Sequence, residues 1–277
     1  MRCLYREQIY ECGDYLEVNI FPAFKKAQSR GKRAKVTSEV QARLNEHNAE
    51  QQLIRLLNAN FSGDDYELHL TYTDENLPED DDIAARDIKN MMRRCKRLYH
   101  KSDIELKYVY VTEGGVGETR YHYHVTLSGG VDRTELERLW GYGYANCRQL
   151  QFNENGVEGL AKYVTKQFRA HKDELVFRKR WCGSKNLIKP EPKVRDGKLS
   201  QRKVQALATY DAESRRAFEA IYDGYYLSEA KPFYNDVNGG YYIHVKMYRK
   251  DAVFANTKKR RKRKDEKHEM SKMSESR

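Results

Sequence analysis

Between Glu105 and Leu127 the side chains alternate in character through two runs, with a glycine-rich break between them. Alternation of aromatic and β-branched residues marks a strand, and two such runs across a short flexible connection read as a hairpin. In the first run Leu106, Tyr108, Tyr110 and Thr112 share one face, while Lys107, Val109, Val111 and Glu113 share the other. In the second, Tyr121, Tyr123, Val125 and Leu127 oppose His122, His124 and Thr126. Imidazoles two residues apart on a strand are separated by about 6.6 Å, and metal–nitrogen bonds of about 2.0–2.1 Å let both lean onto one ion. The hairpin can set Glu113 beside them, giving two imidazoles and a carboxylate as an open metal site. The same spacing also occurs where histidines only decorate a solvated sheet face, so the rest of the chain must decide. The glycines at 114, 115 and 117 have a rival use as a phosphate cradle, but no Gly-x-x-x-x-Gly-Lys-Ser/Thr pattern occurs.

The flanking sequence supplies regular elements. Tyr66 to Tyr72 alternates strictly and reads as a strand ended by the turn Thr73 to Pro78. Asp80, Asp81 and Asp82 suit the positive end of a helix in which Ala84, Ile88, Met91, Cys95 and Leu98 form the apolar stripe. Its opposite face carries Lys89, Arg93, Arg94, Lys96 and Arg97, as a solvated helix face usually does. Asp132 to Glu135 opens a short helix through Leu136 and Trp140, and Gly143 to Phe152 suits a strand. Val157, Leu160, Ala161, Val164 and Phe168 then form one stripe of a further helix. Tyr163 and Lys166 lie off that stripe, one turn apart. This is the arrangement of an activated nucleophile, or of a half-buried tyrosine beside a snorkelling lysine. Tyr15 to Phe21 reads as a strand, and Val36 to Asn60 as a packing helix with Val40, Leu44, Ile54 and Leu57 on one side. A single helix is expected from Ser200 to Tyr222 and a Tyr-rich strand from Tyr241 to Tyr248; residues 1–35 otherwise show little pattern.

Charge narrows the partners. The formal net charge is +11, of which Lys258 to Lys264 supply seven. A mildly basic body with a strongly basic tail points to a polyanion. No run approaches the roughly 20 apolar residues of a membrane span, and the first residues show no signal-peptide block. Hydrophobic content of 39% with 21 tyrosines gives an adequate core. Five scattered cysteines without a Cys-x-x-Cys pair argue against a disulfide scaffold or zinc ribbon and favour a reducing compartment.

Three segments, in this order, resemble the motifs of the HUH endonucleases that start rolling-circle replication. Leu68-His69-Leu70-Thr71-Tyr72 is similar to the first, His122-Tyr123-His124 to the second, and Tyr163-Val164-Thr165-Lys166 to the third. The resemblance spans roughly residues 60–190 and extends to the basic segment Ser184 to Pro190. It implies an α+β fold with a central antiparallel sheet packed by helices (an RNA-recognition or ferredoxin-like core), helical additions and a disordered basic tail. Domains are expected at 61–172 for the endonuclease core, with an N-terminal extension over 1–60, a C-terminal extension packing on the core over 173–250, and the tail over 251–277. It further implies Mg²⁺ or Mn²⁺ held by His122, His124 and Glu113, with Tyr163 as nucleophile and Lys166 offsetting charge. Lys162, Arg169, Arg180, Lys185 and Lys189 are the expected DNA contacts. The partners implied are single-stranded origin DNA and a host helicase and polymerase in a bacterial cytoplasm, for a phage, plasmid or integrated element. One motif tyrosine, with no second a turn later, leaves the strand-closing step open. The alternatives are a single-tyrosine transposase, a relaxase (which usually carries a third histidine), a non-catalytic single-strand-binding module and a DNA-packaging protein.

Overall fold

The computed structural model describes residues 4–23, 39–115, 120–151, 157, 181–236 and 239–252. In chain order its elements are β1 (Leu4–Cys12), β2 (Tyr15–Ala23), α1 (Glu39–Asn60), β3 (Tyr66–Tyr72), α2 (Asp81–Lys101), β4 (Tyr108–Glu113), β5 (His122–Leu127), α3 (Arg133–Arg138), β6 (Gly143–Gln149), β7 (Cys182–Gly183), β8 (Lys193–Asp196), α4 (Gln201–Ala208), α5 (Ala212–Ile221), β9 (Tyr225–Asn235) and β10 (Gly240–Arg249). They form an α+β structure with two five-stranded antiparallel sheets. The described residues divide into two compact units, one from 60 to 188, the other joining those up to 59 with those from 189 onward.

In the 60–188 unit the strand order is β6-β3-β5-β4-β7. Period-two alternation sends Leu68, Leu70, Tyr72, Tyr110, Tyr121, Tyr123, Val125 and Leu127 into one core with Ala84, Ile88, Met91 and Cys95 of α2. The α2 N-terminus is capped as its acidic start requires, with Asp80 accepting from the Ile83 amide at 2.7 Å. On the basic face of α2, Arg94 turns inward and donates to the Leu139 and Trp140 carbonyls at 2.8 and 3.1 Å, so that cation serves packing. Tyr123, between the two motif histidines, is fully buried and donates to the Ala84 carbonyl at 2.8 Å. Its oxygen also meets the Tyr72 hydroxyl at 2.9 Å. That clamp fixes which way β5 faces, and His122 and His124 must point to the opposite side. Gly143 lets β6 come close to β3, since a Cβ there would stand 2.3 Å from the Thr71 carbonyl oxygen.

The second unit has the strand order β8-β1-β2-β10-β9. Leu16, Val18, Ile20, Ile243, Val245 and Met247 pack against Val204, Leu207 and Phe218 of α4 and α5. The first and last parts of the described chain thus share one sheet, through β2 and β10, where the sequence reading divides them into two extensions. β1, β8 and β9 are additional to the expected strands. Their sequences mix charge with aromatics, and β9 holds Pro232, so local patterning is weak. The expected helix over 200–222 is two helices. Tyr210 adopts φ +54°, and Asp211 caps a new start by accepting from the Ser214 amide at 2.7 Å. In α1, Ile54 and Leu57 are buried as expected but Leu44 is half exposed. Cys12, Cys95, Cys147 and Cys182 are free thiols.

Candidate metal centre

The face of the 60–188 sheet opposite α2 carries the polar alternate residues of four strands. Register places Asn146, His69, His124 and Val111 in one row across β6, β3, β5 and β4. The next row is Tyr144, Thr71, His122 and Glu113. His69 stands directly across from His124, with ring centroids 4.8 Å apart; His122 lies 5.4 Å from each. One nitrogen from each of the three imidazoles falls within 4.8 Å of the others, a spacing that can hold a metal ion.

Glu113 closes the group. Its Oε2 is 2.6 Å from His122 Nε2 and 3.4 Å from His124 Nε2. Nδ1 of His122 faces the Arg120 carbonyl at 3.0 Å and therefore carries a proton to donate. That leaves Nε2 to share either a proton or a cation with the carboxylate, which is how an outer hydrogen bond fixes the tautomer of a metal-binding histidine. Burial opposes ionisation of Glu113, but the hydrogen bonds from His122 and His124 outweigh it and hold its pKa at about 2. The Glu113 hydrogen bond raises His122 against the effect of its burial. Burial, with the neighbouring His124 and His122, pushes His69 down to about 4, so its ring is neutral at pH 7. A neutral nitrogen donor and an ionised carboxylate are what a divalent cation needs, and the donor set fits one.

Access is graded across this face. Glu113 and His124 are buried, His69 and His122 are half-buried, and Tyr144, Asn146 and Arg148 on β6 are exposed, Tyr144 at 74%.

The structure brings His122, His124 and Glu113 together. His69 joins them although the sequence reading gave it no role as a ligand. Alternation in β3 does put His69 on the polar face with Glu67 and Thr71, but only the pairing of β3 with β5 reveals its neighbours. Tyr163, Lys166, Lys162, Arg169 and Arg180 lie outside the described residues. Lys185 is exposed just after β7, whose Gly183 pairs with Val109. It therefore belongs to the Tyr108 end of β4, roughly 17 Å along the strand from Glu113. Lys189 is exposed and falls in the other unit.

Fold and site together define an α+β protein with a cation-binding histidine cluster on one face of an antiparallel sheet. Residues 65–168 match the family model for replication-associated proteins of the ORF2 type. The match covers less than half of the chain and supports a rolling-circle replication initiator. It contains every member of the cluster, along with Lys162, Tyr163 and Lys166. Neither the curated proteins nor the solved structures compared with the chain gave a match. Among the described residues no helix is long and apolar enough to cross a membrane.

Proposed function

We propose that the chain is an HUH-type initiator that nicks single-stranded origin DNA by tyrosine transesterification. The observation that supports this most is the convergence of His69, His122, His124 and Glu113 inside a replication-associated family match that also contains Tyr163-x-x-Lys166. Three imidazoles with one carboxylate favour Mn²⁺ over Mg²⁺, which prefers oxygen donors. When bound, such an ion polarises the scissile phosphate as a Lewis acid.

The chain's own groups do the rest. The Tyr163 oxygen attacks phosphorus, a P–O(Tyr) bond forms, the P–O3′ bond breaks, and the departing oxygen takes a proton to become a 3′-OH. Lys166 offsets negative charge as it develops on the phosphoryl oxygens. One phosphodiester replaces another, so rejoining requires no ATP. The free 3′-OH primes a polymerase, and duplex opening falls to a partner helicase.

A denaturing gel for a covalent protein–DNA adduct, formed from origin-like oligonucleotides with Mn²⁺, tests the reading. Tyr163→Phe should abolish the adduct while leaving DNA binding nearly intact; undiminished adduct in the variant refutes the assignment. His69 also supplies the third histidine expected of relaxases, which favours plasmid mobilisation as the second reading. That reading requires nicking at a transfer origin rather than a replication origin.

A further inference from the structure

The unit that does not contain the histidine cluster has an aromatic row of its own. On the sheet face turned away from α4 and α5, register aligns Arg6 of β1 with Phe21 of β2, and Tyr242 of β10 with Phe233 of β9. Phe21 and Tyr242 meet across the β2–β10 pairing, their rings 6.4 Å apart and within 10° of parallel. Three aromatic side chains therefore stand side by side on three adjacent strands. Folding does not require them there. The neighbouring positions Ile20 and Ile243 already fill the core on the other face, and Phe233 leaves 64% of its surface in water. An exposed phenylalanine has no polar end to satisfy, so a row of such rings gains only when something flat covers it.

The surroundings indicate what that is. Lys231, two residues from Phe233 on the same face, keeps its side chain 58% exposed, and Arg6 ends the row on β1. The acids near these groups are already engaged: Asp196 receives Arg6 through two 2.7 Å bonds, and Glu229 lies between Lys231 and Lys246 at 3.0 Å from each. In sequence, the segment after β2 carries Lys25, Lys26, Arg30, Lys32, Arg33 and Lys35 with no acid among residues 24–35. Rings for stacking, bordered by cations, match the chemistry of a single nucleic-acid strand, whose bases offer π-faces and whose backbone is anionic.

We infer that Phe21, Tyr242 and Phe233 form a stacking platform for single-stranded DNA, distinct from the metal centre. Stacking on rings without base-edge hydrogen bonds is tolerant of sequence, so the platform holds strand outside the nick site.

The test uses the full chain in EDTA with a fluorescent oligothymidylate that has no origin sequence, read by anisotropy. These conditions are silent on nicking, so the platform and the proposed cleavage stand or fall separately. Phe233→Ala and Phe21→Ala should each weaken binding roughly tenfold, and Phe233→Trp should retain it. The salt dependence should be unchanged in the alanine variants and flatter in Lys231→Gln. The exposure of Phe233 makes its truncation safe for folding, which an unchanged melting curve checks. Wild-type affinity in both alanine variants overturns the inference. A change from dimer to monomer on sedimentation of Phe233→Ala, with DNA affinity intact, also overturns it by assigning the row to a second copy of the chain.

Discussion

His69→Ala is the sharpest probe of the metal centre, because the ring is half-buried and neutral at pH 7, so its removal changes no net charge. Four donors converge in the wild-type cluster, and the substitution removes one. Removing even an outer-sphere partner of a metal ligand weakens metal binding about 10- to 100-fold, so loss of a direct ligand should cost at least that much. With Mn²⁺ at a hundred times its dissociation constant, binding stabilises the fold by about 2.7 kcal/mol. At about 2–4 °C per kcal/mol for a chain of this size, the wild-type melting temperature should rise about 5–11 °C from EDTA to Mn²⁺. If affinity falls a hundredfold, the same Mn²⁺ concentration contributes about 0.4 kcal/mol, and the rise shrinks to about 1–2 °C. Differential scanning fluorimetry of both proteins in EDTA and Mn²⁺ measures this, with the EDTA curves controlling for folding. A full-sized Mn²⁺ shift in His69→Ala would remove His69 from the ligand set and with it the argument from register.

Tyr144→Ala should weaken binding of an origin-like oligonucleotide in EDTA by about 1–3 kcal/mol, as loss of one stacked base does; unaltered affinity shows that the exposed ring beside His122 contacts no DNA. Burial, with the nearby Lys246 and Arg55 charges adding to it and Glu17 partly opposing, lowers His244 from 6.5 to about 4. A base with a depressed folded pKa contributes its full stability above pH 6.5, and that stability is lost as pH falls toward 4. The loss is roughly 3 kcal/mol at most, and urea titrations of wild type and His244→Gln across that window should converge at low pH; parallel curves contradict the assignment. Deleting the run from Lys258 to Lys264 removes seven cations and should flatten the slope of log affinity against log salt by up to about 5 units. An unchanged slope means that the tail does not reach the backbone.

The hairpin and its facing were legible because alternation is local: Tyr123 and Val125 had to be buried, so His122 and His124 had to share the other side. Glu113 was legible for the same reason, since a hairpin brings its two strands together. His69 was not, because nothing local tells β3 that its neighbour is β5, 50 residues on; pairing of distant strands depends on the whole core. The second sheet was hidden for the same reason at larger scale, since β2 meets β10 across most of the chain. The division at Tyr210 was missed because Thr209, Tyr210 and Asp211 interrupt the helical pattern with polar residues that also occur on exposed helix faces. Only the left-handed backbone at Tyr210 and the cap at Asp211 separate the two possibilities.

The unequal burial of the four donors constrains how a substrate reaches them. Glu113 and His124 are buried at 5% and 6% exposure, so a phosphate cannot approach a bound cation from the β4 side of the face. His69 and His122 keep part of their rings in solvent, and β6 beyond them presents Tyr144 and Arg148. On the proposed function, a strand therefore arrives over β6, where Arg148 can meet its backbone and Tyr144 a base, before its phosphate reaches the cluster. The same geometry accounts for which donors are held hardest. The buried pair, His124 with the Glu113 carboxylate held near pKa 2, fixes the ion from behind, and the exposed edge near His69 and His122 is the side left for an exchangeable oxygen of the substrate.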